Sequence, residues 1–370
     1  MNKIKVFIDY PVSDNKEFKG LSFPQYLFDF LKNQKDIELV GEEDRFDILF
    51  IISGGSHYTD RSLTGIIKRK VANFLNRGRF FQEIDYNRYS KSNTDYEKRF
   101  ARLIKKNPKA KVVHRLDDRY RILCKVYGCD ETVSWINKRA DATVFQTEYC
   151  KSLYVRGVKS IFGFEGPMNI KNGTIIYNGV DRDIFSENGP KKDLKGKYKI
   201  FHVSTSGMAR KGLGTVLEFA HLLKNNPEIQ FYLIGRQIDD PVYGYEIKKF
   251  PNVHCLNHTN DRYELASLYR SGDVLLYPTI NDCSPNVILE AMSCGMPVIA
   301  TNSGGSPELL LKEDIHGGIL IDERNPIYSL KEVINHLYLF KKRCVDLVKQ
   351  YHTKEIMGEK YMRLFKSLMQ

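Results

Sequence analysis

The chain has 370 residues, 42% of them hydrophobic, which is enough for two ordinary domains with separate cores. No run approaches the roughly eighteen apolar residues of a membrane span, and the first residues lack the long apolar stretch of a leader, so a soluble, cytoplasmic protein is expected. Seven cysteines without a Cys-x-x-Cys pair suggest neither a disulfide framework nor a zinc site. The net charge of +12 is gathered in residues 61–140, which hold 21 Lys and Arg against 8 Asp and Glu. Such a field favours an anionic partner or peripheral contact with an acidic membrane surface. No nucleic-acid motif accompanies it, so no nucleic-acid partner is expected.

In chain order, Lys3 to Ile8 reads as a strand, Gly20 stands in the loop that follows, and Leu21 to Leu31 carries helical apolar spacing. Phe46 to Ile52 is a buried strand ending at Ser53-Gly54-Gly55, and Leu63 to Leu75 predicts a helix with a basic face. Lys111 to Leu116 is the next strand, delivering Asp117 and Asp118 at its C-terminal end. Strand side chains alternate, so His114 and Asp117 point to opposite faces, and Asp117 is favoured for a site at the strand end, with His114 the alternative. Ala140 to Phe145 and Thr174 to Tyr177 are further strands, the second running into a turn at Asn178-Gly179-Val180-Asp181. The polar, turn-rich Ser186 to Lys197 reads as a linker.

Tyr198 to Val203 opens the second half as a strand, followed by a loop carrying Arg210 and Lys211 and a helix from about Leu213. Two cations on a loop that opens a helix make a sensible pyrophosphate site, because the helix dipole and free N–H groups add to the side-chain charge. Gln230 to Ile234 leads into Gly235 and Arg236, and Arg262 to Tyr269 reads as a helix. Asp273 to Leu310 is then strand, loop, helix, turn and strand, one βαβ unit. Its loop, Thr279 to Pro285, lies where α/β folds place ligands. Ser284 is expected to cap the helix, with Pro285 in its first turn. Asp282 and Glu290 stand eight residues apart, which puts Glu290 on the loop side of the helix. Glu308 is read as structural, and Ile327 to Leu368 as mostly helical.

Asp282 to Ala291, followed by Met292, Gly295, Pro297, Val298 and the Gly304/Gly305 pair, resembles the donor-site signature of the retaining GT-B glycosyltransferases of family 4, the glycosyl transferases group 1. In that family an acid, seven residues and a Glu precede Ala-Met and Gly-x-Pro-Val. The first acid is usually Glu; Asp282 is one methylene shorter. Asn178-Gly179-Val180-Asp181 followed by Phe185 is a second landmark, and Lys211-Gly212 a third. Ser206 stands where the family has an Arg, leaving Arg210 to supply that charge.

The resemblance implies two Rossmann-like domains facing a cleft. Residues 1–185 would form the acceptor side, 186–197 the linker, 198–350 the donor side, and 351–370 a helix crossing back to the first domain. It implies retaining transfer of a hexose from a UDP-, GDP- or ADP-linked donor to an anionic, glycan or lipid-linked acceptor, with neither cofactor nor metal. Asp117, Asp282, Arg210 and Lys211 would be catalytic. Glu290 would hold the ribose, Cys283, Ser284, Pro285 and Asn286 the donor, and Gly235 and Arg236 the base, while Gly20 and Asp118 fall on the acceptor side. A nucleotide-sugar epimerase of GT-B fold and a non-catalytic nucleotide-sugar-binding protein are the alternatives.

Overall fold

The computed structural model describes residues 3–10, 12, 22–52, 86–119, 129–160, 163–171, 173–205, 209–240 and 243–370. Gly20, Ser53 to Gly55, the basic Leu63 to Leu75 stretch and Ser206 lie outside the described residues. The first half runs β1 (Ile4–Asp9), α1 (Ser22–Lys32), β2 (Ile37–Leu39), β3 (Ile48–Ile52), α2 (Tyr86–Lys106), β4 (Lys111–Leu116), α3 (Cys129–Asn137), β5 (Ala142–Phe145), α4 (Glu148–Val155), the antiparallel hairpin β6 (Val158–Ser160) and β7 (Gly163–Glu165), and β8 (Thr174–Ile175). Its sheet is parallel throughout in the order β2-β1-β3-β4-β5-β8. Every residue of β3 is buried, as expected of a parallel strand covered on both faces.

The second half runs β9 (Tyr198–Ser204), α5 (Leu213–Leu222), β10 (Ile229–Gly235), α6 (Tyr243–Ile247), β11 (Val253–Asn257), α7 (Arg262–Ser271), β12 (Val274–Tyr277), α8 (Asn286–Ser293), β13 (Val298–Ala300), α9 (Ser306–Leu310), β14 (Gly318–Leu320), α10 (Pro326–Asn335), α11 (Leu337–Tyr351) and α12 (Lys354–Leu368). Its sheet is also parallel, in the order β11-β10-β9-β12-β13-β14. The chain order reverses between β9 and β12, so the loops leaving these two neighbouring strands diverge and open a crevice at their C-terminal ends.

Some differences from the sequence reading are local. The strand expected over Thr174 to Tyr177 stops at Ile175, and β2, α2, α3, α6 and the β6/β7 hairpin were not foreseen. The 178–183 segment, taken as a turn, also pairs with the 352–354 segment. Val180 N–H donates to the His352 carbonyl at 2.8 Å, and Lys354 N–H donates to the Val180 carbonyl at 3.0 Å. Lys354 Nζ bonds Asp181 and Asp183 at 2.7 Å each.

This pairing delivers α12 to the first sheet. Met357, Tyr361 and Phe365 are buried in one core with Val6, Phe23, Leu27 and Phe50. Tyr361 meets Phe50 edge-on at 5.3 Å, and Phe365 meets it at 6.1 Å. Phe365→Ala is therefore expected to cost about 3–5 kcal/mol, the usual toll for a buried ring and its cavity. Urea denaturation followed by far-UV dichroism would measure it; a cost under about 1 kcal/mol, the scale of an ordinary surface change, would mean that α12 is not part of this core.

Candidate active site

Lys211 and Arg210 lie on the turn between β9 and α5. Gly212 holds that turn with φ +80°, and a side chain there would meet the Pro278 carbonyl at 2.1 Å from its Cβ. The turn is thus pressed onto the loop after β12: Ile280 N–H donates to the Arg210 carbonyl at 2.8 Å, and Thr279 Oγ1 at 3.3 Å. The same loop carries Asp282, whose carboxylate bonds Lys211 Nζ. Arg210 Nη1 stands 3.9 Å from Asp282 and 3.7 Å from Asp118 of the first domain, buried and with no hydrogen-bond partner among the described residues.

Burial alone would push the Asp282 carboxyl up, but Lys211 and Arg210 outweigh it and hold the group below its ordinary value. Burial likewise opposes the Lys211 charge, and Asp282 reverses that, raising the ammonium's pKa. Asp118 is pushed the other way, first by burial and then by the nearby Asp282 carboxylate. Two acids facing one guanidinium are thereby separated in proton affinity.

The structure alters three expectations from sequence. Asp117, favoured as the acid on the reacting side, is bonded by Arg115 and accepts Gln146 Nε2 at 2.5 Å; Arg115 is itself buried, lies over the Phe23 ring at 3.6 Å and donates to Asn178 at 2.6 Å. His114 is buried against Asn137 on α3, with a ring nitrogen 3.3 Å from the amide. Asp118 is the strand-end acid that reaches the cation pair, because it lies two residues beyond the end of β4, where alternation no longer holds. Second, Pro285 is the N-cap of α8, and the Ser284 hydroxyl is buried without a hydrogen-bond partner, capping included, among the described residues. Third, the Cys283 backbone is already engaged across the domain boundary. Its N–H donates to Asp118 at 2.8 Å and its carbonyl accepts Thr147 Oγ1 at 2.9 Å.

Glu290 points from α8 to the domain boundary, where its buried carboxylate accepts Tyr269 Oη at 3.2 Å and Ser22 Oγ of α1 at 3.3 Å. Burial raises its pKa; Arg262 and these two bonds oppose the rise. Asn286, the first residue of α8, accepts Asn178 Nδ2 at 2.8 Å. Gly235 ends β10 with φ +137°, and Arg236 follows it, exposed. Burial, then a hydrogen bond with the Cys150 thiol of the first domain, push the Cys283 thiol well above its usual pKa, so it stays neutral. Gly304, at φ +68°, would place a Cβ 2.4 Å from the Asp282 carbonyl, and Gly305 one 2.0 Å from the Cys283 carbonyl, so this glycine pair packs directly beneath the loop. Among the described residues no group of three or more His, Cys, Asp or Glu side chains is arranged to hold a metal ion. No helix among them is long and apolar enough to cross a membrane.

Sucrose-phosphate synthase from Thermosynechococcus elongatus superposes with a TM-score of 0.64 over 99% of both chains at 14% identity. Anabaena HepE in complex with UDP-glucose does so at 0.58, covering 98% of this chain and all of that one at 15% identity. The fold is GT-B. Within it, residues 197–339, from β9 to the start of α11, match the family model described as glycosyl transferases group 1. An uncharacterized glycosyltransferase of Methanocaldococcus jannaschii is 27% identical over 197 residues, which is 52% of this chain and 48% of that relative. The chain thus spans about half the length of this curated relative. The matched GT-B half contains Arg210, Lys211, Asp282 and Glu290, whereas Asp117 and Asp118 precede it.

One buried histidine gives the site a pH signature. His202 of β9 donates its Nδ1–H to the Leu276 carbonyl, 3.1 Å away, which requires the Nδ1–H tautomer. Burial, with Lys211 nearby, lowers its pKa from 6.5 to about 4. The unfolded chain then binds this proton at a higher pH than the folded one. Stability should decline as pH falls from about 6.5 towards about 4, and this contribution should be complete above that window. Urea midpoints measured across the range would show the slope, and His202→Gln should reduce it, the remainder including the contribution of the likewise buried His352; an unchanged slope in that variant would assign it to other groups.

Proposed function

We propose that this chain is a retaining glycosyltransferase that takes a hexose from a nucleotide-diphosphate-sugar, without a metal, and passes it to an anionic, glycan or lipid-linked acceptor. The observation that carries this reading is the convergence of Arg210, Lys211 and the N-terminal end of α8 on Asp282 at the β9/β12 crevice. The group 1 match over 197–339 and the likeness to a chain holding UDP-glucose support the donor class. Catalysis would be electrostatic. As the bond from the anomeric carbon to the diphosphate oxygen breaks, negative charge builds on the leaving group, and two cations beside a helix N-terminus are already in place to receive it.

Arg210 Nη1 has a donor to spare, and Lys211 exchanges part of its bond to Asp282 for phosphate oxygens. Asp282 then turns to a hydroxyl of the sugar. The Glu290 carboxylate takes the ribose hydroxyls, and Gly235 and Arg236 border the base. The Ser284 hydroxyl, without a partner among the described residues, suits a donor oxygen, while the Cys283 amide stays with Asp118 and the Ser284 amide with Asp282. Asp118, not Asp117, is the acid that faces the reacting sugar, since the Asp117 carboxylate is consumed by Arg115 and Gln146. The basic surplus of residues 61–140 favours an acceptor with negative charge, including one presented at a membrane surface.

Calorimetric titration with UDP, GDP and ADP, with and without EDTA, tests the donor site directly. One of the three should bind in the micromolar range or tighter, unchanged by the chelator; a chelator-dependent signal would end the metal-free reading, and no binding to any would end the proposal. Arg210→Ala with Lys211→Ala should weaken that diphosphate about a hundredfold or more, the loss of two charge-assisted contacts, and the parent nucleoside no more than a few fold. Equal losses would mark a structural defect instead. Asp118→Asn should lower turnover about a hundredfold with nucleotide affinity nearly kept, and Asp117→Asn should act mainly on stability.

A further inference from the structure

Glu308 belongs to α9 in the second domain, yet its carboxylate is spent on the first. Oε2 accepts Glu148 N–H at 2.8 Å and Oε1 accepts Tyr149 N–H at 2.7 Å, which are the first two N–H groups of α4. Tyr177 Oη, just beyond β8, donates to Oε2 at 2.9 Å. The third N–H of the helix, that of Cys150, is taken by the N-cap Thr147 at 3.0 Å. A carboxylate against a helix N-terminus meets both the orphan donors and the positive end of the dipole, and here the two partners come from different domains.

The contact adjoins the donor loop. Thr147 donates its hydroxyl to the Cys283 carbonyl, and a Cβ on Gly305 would lie 2.9 Å from Thr147 Cγ2 and 2.0 Å from that same carbonyl. Glu308 follows three residues after Gly305. One rigid step therefore connects the carboxylate that grips α4 to the backbone that carries Asp282 and Cys283.

We infer that Glu308 is a positioning residue: it latches the first domain, by the N-terminus of α4, onto the loop that holds the donor. This rests on the proposed transferase reading only for its purpose, since the latch itself is a property of the ligand-free chain. Closing it places Asp118 against the Cys283 amide and beside Arg210; opening it lets nucleotide in. Tyr177 supports the carboxylate, and Lys312, whose Nζ bonds the Glu308 carbonyl at 2.7 Å, fixes the turn from which it projects.

Amide hydrogen exchange on the full chain without ligand tests this at a distance from the substitution. In Glu308→Ala the Cys283 amide, which Glu308 does not touch, should exchange about tenfold faster, the change expected from losing roughly one charge-assisted bond that held the domains together. Small-angle scattering should show a larger radius of gyration. Faster exchange confined to Glu148 and Tyr149, with Cys283 unchanged, would reduce Glu308 to a local helix cap and overturn the inference. Glu308→Gln keeps the shape but turns an NH₂ towards N–H donors, so its Cys283 rate should fall between wild type and Ala; it decides the matter if the Ala variant does not fold. UDP, GDP and ADP are added to wild type in turn, and one of them should slow Cys283 exchange if the transferase reading holds. A failure of all three, with the other arms as expected, sinks the donor assignment and leaves the latch standing.

Discussion

The Asp282 carboxylate is the charge around which both domains are arranged. It is buried, and burying an acid and a lysine together is costly unless the geometry is held tightly from outside. Gly212 brings the Lys211 turn down onto Pro278, and the Gly304/Gly305 pair closes the loop from below. The cation cluster is therefore rigid before any ligand arrives, which is what electrostatic stabilisation of a leaving group requires, since dipoles already in place need no reorganisation.

The same loop is also where the two domains touch. Asp118, Thr147 and Asn178 of the first domain reach Cys283 and Asn286 of the second, and Ser22 reaches Glu290. Each of these contacts pairs polar groups across the boundary. The acid that pairs with Lys211 and the contacts that bring the domains together thus share one short stretch of backbone, and a change in either is felt by the other.

Much of the second domain was legible in the sequence because its signals are local. Strand, loop and helix lengths from Asp273 to Leu310 follow from apolar runs, Pro278 and the glycines. What stayed hidden depends on tertiary placement. Asp117 and Asp118 differ by one residue at a strand end, where alternation lapses, and only the buried Arg115 decides which of them turns inward. Ser284 looks like a helix cap by composition, but Pro285 takes that place. Glu308 has no nearby partner in sequence; its partners lie about 160 residues earlier, and no spacing rule spans that distance.

The crossing of α12 has a consequence for the order in which the chain is made. Met357, Tyr361 and Phe365 complete the core beneath β1, β3 and α1, yet a ribosome delivers them after the whole second domain. The first sheet emerges with an apolar face uncovered and waits, while the second domain, whose strands and covering helices are contiguous from β9 to α11, can fold at once. Synthesis from the N-terminus therefore meets a fold whose N-terminal half matures last, and the uncovered face of β3 is the surface most in need of protection during that interval.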